Sequence, residues 1–486
     1  MPELNRAEYG QSMGPDAGLV PERVEQPSSL EEVQALVRAA KGPLYPISRG
    51  CNWGYGEKSP LREGATVVDL SKMNRIVEVD DELAYVVLEP GVSQGELAQH
   101  LSERHPNLWM DATGAGAEAS VVGNVLERGF GHTPYGDRFR NVCGLEVVLA
   151  SGEVVRTGFH GYGAQGAAQA YPYGVGPYLD GLFTQSNFGI VTRMTLWLMP
   201  RPEHVAAFFV SFKDRSDMAA AIPALTKLKL DGTLRSVLHV GNDLRGIASS
   251  VRSAGAKGML SAERRAALRR EFGISPWTAT GAVYGSREQV EESLSRVRAA
   301  VRGRRMRVIT PFLHRVIEAM PLKFKWKGAL ATVMDLVQGR VPTLPREAVY
   351  WAVEPGKEAD AGLLWVAPIC AARSGEVERM VSLIESTVAA HGLDPLMSIN
   401  YVQDRALCAV TQLSFNRADA AQNARARDCY HALCKALLAG GFPPYRTHPL
   451  GVGALHAQNP GLWALQKTLK GALDPHGILA PGKSGL

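Results

Sequence analysis

The sequence is poor in the features that mark most special protein classes. It has only six cysteines: Cys51, Cys143, Cys370, Cys408, Cys429 and Cys434. They form no CxxC pair and no Cys/His zinc spacing, which argues against a disulfide scaffold or a metal site and for reduced thiols in a cytoplasmic protein. No apolar run reaches the roughly 18 residues needed to cross a bilayer, so no membrane span is expected. The opening stretch MPELNRAEYGQSMGPD carries acids and no apolar core, unlike a secretory leader. Charge of one sign is also scarce. A formal net charge of +5 is far from a nucleic-acid-binding signature and leans only slightly towards an anionic cofactor or substrate.

What the chain does have is turns. It contains 50 glycines and 29 prolines, with many of the glycines in the first 200 residues. At 486 residues it exceeds one ordinary core, so two or three domains are expected. Over residues 20–200, short β-rich runs alternate with helices. Ser29-Leu-Glu-Glu32 reads as a capping box for a helix Leu30–Lys41. Ser93–Arg104 is another helix, and Leu145–Ala150 with Val154–Thr157 reads as a hairpin across Ser151-Gly152. The apolar strand Ile190–Met199 ends at Pro200-Arg-Pro202, a natural boundary.

Beyond it, three strand–helix units recur: Ala206–Phe212 with Asp217–Leu230, Trp277–Tyr284 with Glu288–Arg302, and Leu363–Ile369 with Val377–His391. Ser286-Arg-Glu-Gln289 caps the second helix. This rhythm predicts an α+β arrangement, an antiparallel sheet flanked by helices. Residues 304–348 read as a long basic excursion lining an active site. The last 40 residues regain the glycine/proline texture of the start, as a C-terminal segment returning to the first domain would. The expected division is 15–203, 204–440 and 441–486.

The first glycine-rich segment, Ser48-Arg-Gly-Cys-Asn-Trp-Gly-Tyr-Gly56, follows a strand. Its glycines allow backbone N–H groups to turn inward around an anion. Gly477-Ile-Leu-Ala-Pro-Gly-Lys-Ser484 spells a nucleotide-hydrolase loop, but only two residues follow it, and that loop needs a helix to aim its amides. Further motifs follow in order: Val87-Leu-Glu-Pro-Gly-Val92, Ser120-Val-Val-Gly-Asn124, Thr133-Pro-Tyr-Gly-Asp137, Tyr173–Phe183, Ser186-Asn-Phe-Gly-Ile-Val191 and Asp474–Lys483. This order and spacing closely resembles the FAD-linked oxidases of the vanillyl-alcohol oxidase and 4-cresol dehydrogenase family, over about residues 20–200 and 440–486.

The resemblance implies a two-part PCMH-type FAD-binding domain plus a substrate cap. It implies that the loop Ser48, Arg49, Gly50, Cys51, Asn52, Trp53 and Gly54 and the turn Gly123-Asn124 hold the pyrophosphate. Gly189-Ile190-Val191 would meet the flavin or adenine through backbone groups. Pro90, Thr113, Gly114, Ser120, Tyr135, Gly136, Asp137, Arg446 and Lys483 complete the implied cofactor set, although Lys483 also reads as a solvated terminal charge. Phe442-Pro-Pro-Tyr-Arg-Thr-His448 looks like the YRTH of phenol-oxidising members. There Tyr445 and Arg446, with Tyr55 of the first loop, grip the substrate oxygen as phenolate, easing hydride loss to flavin N5 through a quinone methide. The other reading of this trio is a packing aromatic and a structural corner.

Two departures limit the carry-over. Arg405-Ala-Leu-Cys-Ala-Val410 offers Cys408 where the oxidase has a flavin-linking histidine, so non-covalent FAD is expected; a thioether through Cys51 is the alternative. Leu108-Trp-Met-Asp111 lacks the family's second aspartate, leaving Glu118 or His132 as candidate proton acceptors. A para-substituted phenol or phenol-like molecule is the expected substrate. A flavin enzyme for an alcohol, amine or hydroxy acid, or a flavin-binding partner protein without turnover, is the alternative. The expected partners are that small molecule, an external electron acceptor (oxygen or a redox protein) and further copies of the chain, as a homodimer or larger assembly.

Overall fold

Local signals set many element boundaries. Ser93 accepts the Glu96 amide and the Glu96 carboxylate accepts the Ser93 amide (2.7 Å), and the helix Gln94–Arg104 starts there. Ser286 and Gln289 form the same box before Arg287–Ala300. At Ser29 only half of the expected box forms. Ser29 accepts the Glu32 amide, but the Glu32 carboxylate turns to the amide and hydroxyl of Ser28. That helix is Leu30–Ala39, ending two residues before Lys41.

The computed structural model describes residues 5–320, 327–342 and 347–486. Its N-terminal part carries two sheets. Thr66–Asp69 lies between Arg23–Glu25 and Leu44–Ile47 in a parallel three-stranded sheet. A five-stranded antiparallel sheet runs in the order Ile76–Asp80, Tyr85–Leu88, Ile190–Trp197, Val142–Val148 and Val154–Arg156. Val142–Val148 is buried along its whole length, as an apolar run packed on both faces must be. Val33, Val68, Val148, Ile190 and Leu479 form one core that joins both sheets to the chain's end.

The tail is fixed by a buried ion pair. Lys470 Nζ lies 2.7 Å from Asp474 Oδ2 and donates to the carbonyls of Asn187 (2.7 Å) and Leu479 (2.9 Å). Asp474 in turn accepts the amides of Ile478 and Leu479. This turn lays Leu479 parallel to Leu44, with amide–carbonyl bonds of 2.7 Å on either side of Leu44.

After Pro202 the chain builds an eight-stranded antiparallel sheet. Its order is Arg305–Ile309, His204–Phe212, Trp277–Gly285, His239–Asn242, Leu396–Gln403, Ala406–Asn416 and Ala361–Val366, with Ile369–Ala371 also on Ala406–Asn416. Helices Arg215–Leu230, Arg287–Ala300, Ser374–Ala390 and Ala420–Ala439 contribute to the large core on one face, with Phe208, Trp277, Ile399 and Phe415 from the strands. The three strand–helix units are present, but they supply fewer than half of the strands. The basic excursion 304–348 is partly regular: an edge strand Arg305–Ile309, then helices Pro311–Ala319 and Lys327–Val337. Its residues 321–326 and 343–346 lie outside the described residues. Among the described residues no helix is long and apolar enough to cross a membrane.

Asp474→Ala should lower stability by about 3–5 kcal/mol, because it leaves the buried Lys470 cation unpaired. Chemical denaturation of the purified protein checks this.

Candidate functional site

The strand Leu44–Ile47 runs into the first glycine-rich loop, where Gly50 and Gly54 have φ of +66° and +73°. These left-handed conformations suit glycine, and space demands it as well. A Cβ on Gly50 would lie 2.2 Å from Lys58 Cγ, and one on Gly54 would lie 2.6 Å from Trp365 Cδ1. The Tyr55 and Glu57 amides both donate to the Asn52 carbonyl (3.0 and 3.3 Å), closing the loop on itself. Across from it, Ser120 accepts the Gly123 amide (2.9 Å) and donates to the Pro90 carbonyl (2.6 Å). A Cβ on Gly123 would fall 2.3 Å from Ser48 Oγ, so this glycine lets the two loops touch.

These loops wall a cavity of about 1270 Å³ that continues across to the face of the eight-stranded sheet opposite its four large helices. It exceeds the roughly 300–1,000 Å³ of a small-molecule pocket, leaving room for a dinucleotide with a substrate beside it. Of the residues expected to bind cofactor, Ser48, Gly50, Cys51, Asn52, Trp53, Pro90, Thr113, Gly114, Ser120, Gly123, Asn124, Gly189, Ile190, Val191, Arg446 and Lys483 line it. Arg49, Gly54, Tyr135, Gly136 and Asp137 do not. Arg49 donates to the Gly91 carbonyl (3.0 Å), and the Gly54 amide donates to the Glu57 carboxylate (2.5 Å). The Tyr135 amide donates to Thr133 Oγ1 (3.1 Å), Gly136 backs onto Val237, and Asp137 accepts from Gln403 of the cap.

Tyr55, Tyr445 and Arg446 come together at one end of the cavity. The Arg446 guanidinium lies 4.1 Å over the Tyr55 ring and donates to Asn52 Oδ1, and the Tyr445 hydroxyl lies close enough to Arg446 and Tyr55 for both to act on it. Burial raises both phenols, Tyr55 strongly and Tyr445 to about 12, so both are protonated donors at neutral pH.

The residue that organises this end, Glu127, carries no motif. Its carboxylate lies 3.0 Å from Lys483 Nζ and 3.3 Å from Arg446 Nε. Burial alone would raise the Glu127 carboxyl, but Lys483 and then Arg446 outweigh it and bring it down to about 2. Lys483 is therefore an ion-paired lining residue rather than a solvated terminal charge. Gln185 ties the arrangement together, donating to the backbone carbonyls of Glu127 (3.2 Å) and Tyr445 (3.1 Å).

His132 lines the cavity with its ring centroid 6.0 Å from that of His239 on the cap sheet. Burial lowers them to about 4 and about 3, so both rings are neutral at pH 7. Glu118 is exposed and does not line the cavity; its backbone carbonyl faces the Cys51 thiol at 3.7 Å. Asp111 is buried and accepts the amide and hydroxyl of Thr133 (3.0 and 2.6 Å), fixing the turn that presents His132. Cys408 is fully buried off the cavity, and burial pushes its thiol strongly up.

A carboxyl held down in the fold adds stability that is complete above its ordinary value near 4.5 and is lost as pH falls towards 2. Glu127→Gln should therefore cost about 3 kcal/mol at pH 7 and flatten the stability profile between pH 5 and 2. Urea midpoints measured across that range check it.

Two family models match the chain: an FAD binding domain over residues 21–158 and the C-terminal domain of FAD linked oxidases over residues 348–484. The chain is 34% identical to the 1'-carboxy-chondrochloren decarboxylase of Chondromyces crocatus, over 94% of its own length and 89% of the relative's. It is 30% identical to the flavoprotein subunit of the hydroxylating 4-cresol dehydrogenase of Pseudomonas putida, over 98% and 91%. A crystal structure of p-cresol methylhydroxylase with substrate bound superposes with a TM-score of 0.90 at 30% identity, covering 99% of this chain and 92% of that one. The α+β fold, with its FAD-binding part and its antiparallel cap sheet, is thus that of a PCMH-type flavoprotein, and the cavity is that of an FAD-dependent enzyme. The chain belongs to the PCMH-type family of FAD-linked oxidases.

Proposed function

We propose that this FAD-linked oxidoreductase oxidises a para-substituted phenol, or a phenol-like small molecule, through a quinone methide. The observation that carries the reading is the convergence of Tyr55, Tyr445 and Arg446 at one end of the cavity. The relatives named for p-cresol (4-cresol), a para-alkyl phenol, support it.

The residues fit the cofactor. Gly50, Gly114 and Gly123 line the cavity wall with no side chain of their own, and Gly114 faces open space, so backbone amides are within reach of a pyrophosphate. When bound, FAD supplies a hydride acceptor at N5. We expect it to be held non-covalently. Cys408 does not reach the cavity, and the Cys51 sulfur is turned to the carbonyls of Arg49 and Glu118. Electrons then pass to an external acceptor, either oxygen or a redox protein.

The chain's own residues act on the substrate oxygen. Two protonated tyrosines donate to it, and Arg446, whose charge is favoured by Glu127 despite burial, adds a fixed cation. Together they favour phenolate over phenol. Loss of the hydroxyl proton and of a hydride from the benzylic carbon leaves a neutral quinone methide. The acids lining the cavity are Glu57 and Glu127 among the described residues. Glu57 is engaged by the Gly54 amide and Ser12, and Glu127 by its two cations. Neutral His132, which lines the same cavity, is the proton acceptor in this reading.

Anaerobic addition of 4-alkylphenols to the FAD-loaded protein should bleach the flavin absorbance. Arg446→Met should slow that bleaching roughly 10²–10³-fold, the range for loss of one donor at a developing oxyanion. Fast bleaching by simple alcohols or amines, with phenols inert, would reject the reading. Acid precipitation should leave a yellow supernatant; a yellow pellet would mean a covalent flavin.

A further inference from the structure

Three arginines of the cavity lining have no role in the reading above; Arg305 and Arg307 are exposed on the edge strand, and Arg245 is the one that is largely covered. Arg245 sits in the first turn of the helix Asp243–Ala248, which is capped by Asn242 at the end of the strand His239–Asn242. Its guanidinium lines the same cavity, on the cap side. Arginine offers five N–H donors. Among the described residues its side chain makes a single hydrogen bond, from Nη1 to Gln412 Oε1 at 3.0 Å, and no ion pair. Gln412 is itself fixed, its amide nitrogen donating to the Ala348 carbonyl and to Ser414 Oγ (2.7 Å), so it cannot follow a displaced arginine.

An enclosed guanidinium without a counter-charge is costly, and native proteins keep such groups paired. The other enclosed cations of the cavity, Arg446 and Lys483, share Glu127. Arg245 has no equivalent. Its surroundings are polar but uncharged. The sheet's alternation sends apolar side chains such as Val240 and Ile399 into the helix-covered core and leaves His239, Thr280 and Asn400 on the cavity side. Burial keeps His239 neutral, so it offers hydrogen bonds and not charge.

We propose that Arg245 is the receptor for a carboxylate on the substrate, with His239, Thr280 and Asn400 as neutral neighbours. The inference rests on the phenol reading for the other end of the molecule. The substrate is then a phenol whose para chain ends in a carboxylate, the oxygen held at Arg446 and the carboxylate at Arg245. Arg305 and Arg307 stand in solvent at the rim, so the covered lobe holds one unpaired cation, which balances a single negative charge and favours a carboxylate over a doubly charged phosphate. Gln412 pairs in register with Trp365, whose ring borders the Gly54 loop, so the Arg245 lobe adjoins the Tyr55 end.

The test is calorimetric binding to the FAD-loaded protein, using 3-(4-hydroxyphenyl)propanoate, its primary amide and 3-phenylpropanoate. The wild type should bind the hydroxyphenyl acid roughly 10- to 100-fold more tightly than the amide, the range for a charge-assisted pair. In Arg245→Met that ratio should fall to about one, and Arg245→Lys should restore part of it. Equal binding of acid and amide by the wild type overturns the proposal without needing any variant, as does an unchanged ratio in a folded Arg245→Met. Loss of flavin from Arg245→Met, with circular dichroism unchanged, would also overturn it by assigning the cation to the cofactor. Should 3-phenylpropanoate bind as tightly as the hydroxyphenyl acid, with the same dependence on Arg245, the carboxylate site stands and the phenol reading falls.

Discussion

One half-buried carboxylate holds the Tyr55 end of the cavity together. Glu127 follows the short helix Val121–Leu126, Arg446 belongs to the loop after the cap, and Lys483 is three residues before Leu486. No local preference brings these segments together. Two like charges in one enclosed space repel strongly, and an acid between them converts that repulsion into a constraint on all three positions. The constraint spreads outwards. Arg446 lies over the Tyr55 ring and donates to Asn52, so the glycine-rich loop is registered against the same carboxylate. One acid against two cations also leaves a surplus positive charge facing the cavity, the charge that the proposed phenolate chemistry would use.

The legible part of the sequence is the part governed by local constraints. Glycines at 50, 54 and 123 are demanded by backbone angle or close approach, so the residue itself announces the geometry. Most of the residues singled out from those motifs line the cavity. Those that do not, such as Arg49 and Gly54, sit in the right loop with their polar groups turned to Gly91 and Glu57. Glu127 was illegible because nothing in VVGNVLERGF distinguishes its glutamate from any surface acid. Its role exists only through partners more than 300 residues away. A hint was available in retrospect: two cations expected at one site, with no acid assigned to them.

The cap was legible in kind but not in detail. The units with long apolar strands and helical partners stood out. The strand His239–Asn242 did not, because its four residues alternate towards a polar cavity and so lack a hydrophobic stripe. Leu396–Gln403 and Ala406–Asn416 are buried over most of their length, yet their helices come before and after the pair rather than between the strands. A rhythm of strand then helix cannot reveal them.

This division follows from how each half recognises its ligand. The FAD-binding half works through backbone and small residues, because a pyrophosphate needs amides at close range. Few substitutions are compatible with that, and the motifs survive intact in the chain. The cap works through side chains standing on one face of a sheet whose other face is committed to the core. Those side chains can change without disturbing the packing behind them, since alternate residues of a strand point in opposite directions. Under the proposed carboxylate site, the cavity wall built by His239, Thr280 and Asn400, with Arg245 beyond it, is the surface on which substrate choice would change while cofactor chemistry stays fixed. A resemblance carried by glycines specifies the reaction, and for the molecule that reacts the cap residues have to be read one by one.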